Sequence, residues 1–326
     1  MESSAGRSYK NPMDTVPLSE SIPEYFNQNR LNEFWKFVCE RQSIWERRFL
    51  KKLSPPWTKD AILATQRFTN VYRELDPGTR YAIDFILESN CSKADKIFNI
   101  MIYRLIGRSD THRSLGLQYL DSFDPKQMKE KLYAIKSSGR PTFTAAYMVS
   151  GYSTMGSKDK ILNVTNIFSR LHVTFPNFYR SLTSAKSSEE AYAIIRERDG
   201  FGNFLAYQVL IDLFYPLKIY GGKAVLPFSN DDWAAAGPGA KKGILLLLRK
   251  SSKVKDIYVM RWLFRNQSSE FVRLGLHFQY LNDANGNIVN ISLANIQNCL
   301  CEFHKYIKIR DGTGRGRRRF NPSLSI

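Results

Sequence analysis

The sequence predicts a mainly α-helical protein with a minor β contribution, and three observations carry that prediction. Apolar residues recur at helical spacing through several long stretches. Those stretches are divided by Gly, Pro and short polar breaks. Hydrophobic residues make up 43% and aromatic residues 13% of the 326, the content of a chain that folds around a core. Single cores seldom grow beyond roughly 250 to 300 residues, so the length allows one large helical domain or two closely packed lobes divided near residue 150.

Residues 1–22 are polar and lack the apolar stretch of a secretory signal, so they read as a flexible leader. The helical domain spans 23–309. Its first long helix covers 31–53, with Phe34, Trp35, Val38, Ile44, Trp45 and Phe49 close to helical spacing, and Pro55 and Pro56 stop it. Further helices are predicted over 60–71, 79–87, 94–106, 125–136, 158–168, 187–198 and 204–215. Short strands are expected at 142–147 and 253–262, although short apolar runs suit a buried helix equally well. Residues 310–326 form a basic tail, in which Arg317, Arg318 and Arg319 stand among glycines as candidate DNA contacts.

Lys and Arg number 48 against 30 Asp and Glu, a formal charge of +18. Such an excess attracts polyanions. No run approaches the ~20 apolar residues of a membrane-spanning helix, which turns the expectation from membrane to DNA. Cys39, Cys91, Cys299 and Cys301 show no CxxC spacing and the four histidines lie far apart, so reduced thiols and no zinc site are expected. These features suit an intracellular protein, nuclear in a eukaryote and cytoplasmic in a bacterial or viral setting.

Two glycine turns carry the strongest local pattern. Ser187 and Glu190 fit a capping box, and Asp199-Gly-Phe-Gly-Asn203 then leads into an apolar helix. Gly200, Gly202 and Asn203 would leave the N–H groups of that helix bare enough to meet a phosphate, the arrangement of the helix-hairpin-helix elements of DNA glycosylases. A tight turn between two packed helices is the other reading. The logic repeats at Gly237-Pro-Gly239-Ala-Lys241-Lys242-Gly243, where two lysines in a first helical turn oppose the helix dipole and call for an external anion. No GxxxxGK[ST] nucleotide loop is present.

Asp231 and Asp232, just before the second turn, are candidate catalytic acids that could reach a base flipped from a duplex; as helix caps they would be purely structural. Arg67, Arg73 and Arg80, with Asp60, Glu74 and Asp76, form a dense charged region that suits either a diphosphate or an internal ion-pair network. Glu302, with His304 and Lys305, forms a further polar cluster on a predicted helix.

Taken together, the pieces 37–41, 56–60, 67–74 with Asp76, 99–104, 199–202, 237–243 and 300–306 resemble the helical domain of the 5-hydroxymethyluracil DNA kinases and the related alpha-glutamyl/putrescinyl thymine pyrophosphorylases. The resemblance covers most of the chain. It implies DNA-base hypermodification, in which hydroxymethyluracil is pyrophosphorylated and an amine or amino acid then displaces the pyrophosphate. With no P-loop in this sequence, the implied role is the displacement step, or a helical module that presents the base to a separate P-loop kinase. The activated substrate is then the pyrophosphorylated base; no cofactor is predicted, and the need for a divalent metal is left open. Arg41, Arg67, Arg73, Arg104 and Lys305 would hold the pyrophosphate, and Asp232 or Glu302 would orient or deprotonate the amine. A glycosylase-like enzyme and a non-catalytic DNA-binding subunit are the alternatives.

Overall fold

Short polar side chains open most of the helices, satisfying N–H groups that have no partner within the helix itself. The computed structural model describes residues 22–145, 157–250, 252–314 and 320. Asn27 caps α1 (Gln28–Trp45) and Asp60 caps α2 (Ala61–Thr65). Pro77 begins α3 (Pro77–Tyr81), and Ser92 caps α4 (Lys93–Ile106), which ends on Gly107 in the left-handed region at φ 68°. After α5 (Ser109–Leu115), Asp124 caps α6 (Pro125–Ser137), Asp159 caps α7 (Lys160–Thr183) and Ser187 caps α8 (Ser188–Arg196). Gly202 and Gly237 precede α9 (Asn203–Asp212) and α10 (Pro238–Leu247) with no side-chain cap. The chain continues through α11 (Asp256–Arg273) to α12 (Leu293–Arg310), capped by Ser292. Leu281–Asn282 pairs antiparallel with Ile288–Val289 in a short hairpin.

Three helices are buried along most of their length and set the frame of the core: α4, all of α9 beyond Phe204, and the first two turns of α12. The first packs on α9, α9 on α8, and α10 on α12. Two glycines make the last contact possible. A Cβ on Gly243 would lie 2.2 Å from the Leu300 carbonyl oxygen, and one on Gly239 would lie 2.3 Å from Cys301 Sγ. Their four-residue spacing is therefore a packing stripe on one helical face.

The mainly α class stands, but several elements differ from the expected ones. The strand expected at 253–262 is the first part of α11, whose buried Val259, Met260, Leu263, Gln267 and Phe271 follow a helical period once the whole segment is read. The helix expected at 60–71 stops at Thr65, because side chains from elsewhere take the backbone groups of 69–70: Glu302 accepts from Thr69 N and Asp76 from Asn70 N. The helix expected at 31–53 becomes the π-helical turn Glu46–Leu50 after Trp45. Residues 142–145 form no strand, and 146–147 lie outside the described residues, as does the expected lobe boundary near 150.

Candidate active site

The apolar helix α9 carries two polar interruptions one turn apart, Gln208 and Asp212, and each meets an arginine. Arg104 of α4 grips the fully buried Asp212 with both prongs of its fork, Nε to Oδ2 and Nη2 to Oδ1, each at 2.5 Å. This is a closed bidentate pair. Arg73 begins a short 3-10 turn (Arg73–Leu75) and is 8% exposed. Its Nη2 donates to Gln208 Oε1 at 2.5 Å and its Nη1 to Asn298 Oδ1 at 3.4 Å, while Nε has no partner. Among the described residues, no carboxylate stands within ion-pair distance of it, although its charge lowers the pKa of the neighbouring Glu74 and Asp76 against the effect of burial. A buried cation satisfied only by neutral amides keeps its charge available for an anion.

Polar groups extend from Arg73 in a continuous chain. Asn295 Oδ1 accepts from Arg73 N at 3.0 Å, and Asn298 Nδ2 donates to Thr69 Oγ1 at 2.9 Å and to the Asn70 carbonyl at 3.3 Å. Asn70 Oδ1 in turn accepts from Arg41 Nη2 at 2.8 Å, and Asp76 Oδ1 accepts from Asn70 Nδ2 at 3.0 Å. Burial lowers the pKa of Arg41, opposed by the charges of Asp76 and Glu302. Burial also raises the carboxyls of Glu74 and Asp76 above their ordinary range. The buried Tyr207 hydroxyl has no partner; desolvation pushes its pKa up, and the Arg73 charge opposes that shift. Two orphaned polar groups, a guanidinium nitrogen and a phenol, thus lie within electrostatic reach of each other.

The other predicted phosphate ligands divide. Glu302 Oε2 accepts from Thr69 N and from Lys305 Nζ, both at 3.1 Å, and Lys305 also donates to the Arg67 carbonyl and lies 4.3 Å from the Phe68 ring centroid. Glu302 and Lys305 therefore hold the backbone of 67–69 beside Arg73. The Arg67 side chain is exposed. Arg80 pairs with Asp84 at 2.9 Å, and Asp60 caps α2 while accepting from the Tyr306 hydroxyl.

Asp231 and Asp232 lie elsewhere. Asp231 Oδ1 accepts from Leu293 N at the start of α12, and burial raises its pKa; Asp232 Oδ2 closes its own turn by accepting from Ser229 N at 2.8 Å. Glu302 is nine residues along that helix, about 14 Å at 1.5 Å per residue. The three acids do not form one constellation.

The two glycine turns are neighbours. Tyr192 of α8 donates its hydroxyl to the Asn203 carbonyl, and its ring lies 5.0 Å from that of Trp233, four residues before Gly237. Gly202, Asn203, Lys241 and Lys242 are exposed around them. Gly200 has φ 80°, and a Cβ there would lie 2.8 Å from Ile167 Cδ1, so its glycine is required by the turn itself. Gly239 belongs to the α10–α12 packing stripe, which accounts for it without DNA. Burial lowers the pKa of His304, aided by the charges of Lys242 and Lys308. Arg317, Arg318 and Arg319 lie outside the described residues.

Sequence reasoning missed Gln208, Asp212, Asn295, Asn298 and Tyr207. A usable signal was present: Gln208 and Asp212 interrupt an apolar helix at i and i+4, and Asn295 and Asn298 repeat the pattern at i and i+3.

The description of the 5-hmdU DNA kinase helical domain matches residues 28–316. The chain is also similar to a 5-hmdU DNA kinase of Bacillus phage SP10, 30% identical over 307 residues that cover 90% of this chain and 47% of that protein. It thus spans about half the length of that relative. No solved structure matches it. Among the described residues, no helix is long and apolar enough to cross a membrane.

Proposed function

Since the chain belongs to the family of the 5-hmdU DNA kinase helical domain, we propose that it acts on DNA in thymine hypermodification and holds a modified base, extruded from the duplex, at the Arg73 cluster. The observation that carries this reading is the buried Arg73 guanidinium, hydrogen-bonded to the neutral amides of Gln208 and Asn298 with its Nε free and no carboxylate within ion-pair distance. A phosphoryl or pyrophosphoryl group on the 5-methylene of the base supplies the missing anion.

The reaction is displacement. The nitrogen lone pair of an amine or amino acid forms a bond to the methylene carbon as the carbon–oxygen bond to pyrophosphate breaks. Pyrophosphate departs with the electron pair, its charge stabilised by Arg73 and Arg41. The proton shed by the new ammonium passes to water. The bare helix starts at Gly202 and Gly237, with Lys241 and Lys242, take the DNA backbone in the manner of helix-hairpin-helix elements.

A second reading has its own support in the phage relative, which is named a kinase and is about twice as long. In that case the same cluster presents hydroxymethyluracil to a P-loop kinase and performs no displacement. Incubation with hydroxymethyluracil DNA, a partner kinase, ATP and mixed amines, followed by mass spectrometry of the digested nucleosides, separates them. Amine-bearing thymidine that depends on this chain supports displacement. Pyrophosphorylated base as the end product supports presentation, and free base released from the duplex sinks both in favour of a glycosylase.

A further inference from the structure

Where α1 gives way to the π-helical turn, three large apolar side chains stay in water: Phe49 is 50% exposed, Leu50 53% and Leu53 52%. Single exposed apolar residues are ordinary. Here three fall within five residues, and every residue from 49 to 56 is exposed. Arg47, Arg48, Lys51 and Lys52 stand among them; Arg47 pairs with Glu40 at 3.0 Å and Lys51 with Glu46 at 2.9 Å, while Lys52 is exposed.

The tip is braced. Trp57 Nε1 donates to the Leu53 carbonyl at 2.7 Å, and Arg47 Nη1 donates to the Trp57 carbonyl at 2.5 Å and to Glu40 Oε1 at 3.0 Å. Lys51 N and Leu53 N close the turn onto the Glu46 and Arg47 carbonyls, each at 2.9 Å. The Arg48 guanidinium lies 4.6 Å from the Phe49 ring centroid and 5.1 Å from that of Trp57. A side chain held in place before contact loses little freedom on insertion.

A braced apolar point with Lys52 in its midst matches an object with anionic rails and a stacked apolar interior. On a chain of net charge +18, that object is duplex DNA, whose base steps accept Phe and Leu wedges. The tip is joined to the Arg73 cluster through one helix. Arg41, which belongs to that cluster, lies on α1, the helix that runs directly into this turn.

We propose that residues 49–53 form a wedge that enters the DNA stack beside the extruded base, with Phe49 and Leu50 inserting and Lys52 on a phosphate. This rests on the reading that the chain binds DNA and extrudes a base. The test uses duplexes carrying hydroxymethyluracil with 2-aminopurine at the adjoining step, following binding by anisotropy and unstacking by fluorescence. The wild type should bind and raise the 2-aminopurine signal. The double variant Phe49→Ala/Leu50→Ala should bind about tenfold more weakly with the same salt dependence and lose that signal, while keeping its circular dichroism and melting temperature. Lys52→Ala should keep the signal at saturation and lower the salt slope by about one. If the double variant unstacks the duplex as the wild type does, the wedge is wrong and the DNA reading stands. If the wild type fails to bind duplex at all, the DNA reading falls and takes the wedge with it. A wild-type dimer that becomes monomeric in the double variant, with unstacking unchanged, would make the tip an interface between copies and overturn the wedge.

Discussion

Arg73 and Arg104 approach the same helix one turn apart and meet opposite partners. Arg104 finds the carboxylate of Asp212 and Arg73 finds the amide of Gln208. Both arginines are largely buried, with the Arg104 side chain at 12% exposure and the Arg73 residue at 8%. Residue type and burial are therefore alike for the two, and the charge of the partner is what sets them apart. The first pair is neutral and complete in itself, whereas the second leaves a positive charge and an unused Nε in the interior.

The largest effect expected from this contrast is on stability. Asp212→Ala strands the Arg104 charge, and breaking a buried pair from one side costs about 3 to 5 kcal/mol. Urea unfolding should show a loss of that size. A loss below about 1 kcal/mol, the range of exposed pairs, would mean that Arg104 is not closed off and would erase the distinction.

Next comes Arg73→Lys, which keeps the charge and removes the fork. Product formation should fall about a hundredfold, equivalent to about 2.7 kcal/mol in the barrier, with a smaller loss of stability, about 1 to 2 kcal/mol, from the broken amide bonds. Turnover within a factor of about two of wild type would remove Arg73 from the transition state.

The sharpest comparison is Gln208→Glu, which gives Arg73 the kind of partner that Arg104 already has. Pyrophosphate binding, followed by calorimetry, should weaken at least about tenfold, or 1.4 kcal/mol, while the unfolding midpoint holds or rises. Unchanged binding would show that the anion, if it binds, sits elsewhere.

Much of this contrast was out of reach of the sequence. Regular, well-capped helices were legible: Ser92, Asp124 and Ser187 each open a helix within a residue or two of the expected start. Arg73 and Arg104 were legible as candidates but not as opposites, because that depends on Gln208 and Asp212, more than 100 residues downstream. The extended run 66–70 was hidden for a similar reason. Its backbone is held by Glu302, Asn298 and Asp76 rather than by its own propensity. The glycines of 237–243 were read for their bare amides, yet Gly239 and Gly243 serve the approach of α10 to α12, a contact that no local spacing reveals.

The smallest expected effect is one of pH. Glu74 accepts from Asn295 Nδ2, and burial holds its carboxyl above the ordinary glutamate range. A carboxyl raised on folding contributes stability that is intact below the unfolded value and is lost as pH rises through the folded one. The protein should therefore lose some stability as pH climbs out of the ordinary glutamate range. Glu74→Gln, which retains the acceptor and abolishes the titration, should flatten that slope in urea midpoints taken from about pH 4 to about pH 8. The opposite slope, with stability rising over the same range and the variant removing the rise, would mean that Glu74 ionises as the counter-ion of Arg73. Arg73 would then be paired as Arg104 is, and the charge on which pyrophosphate binding depends would already be taken.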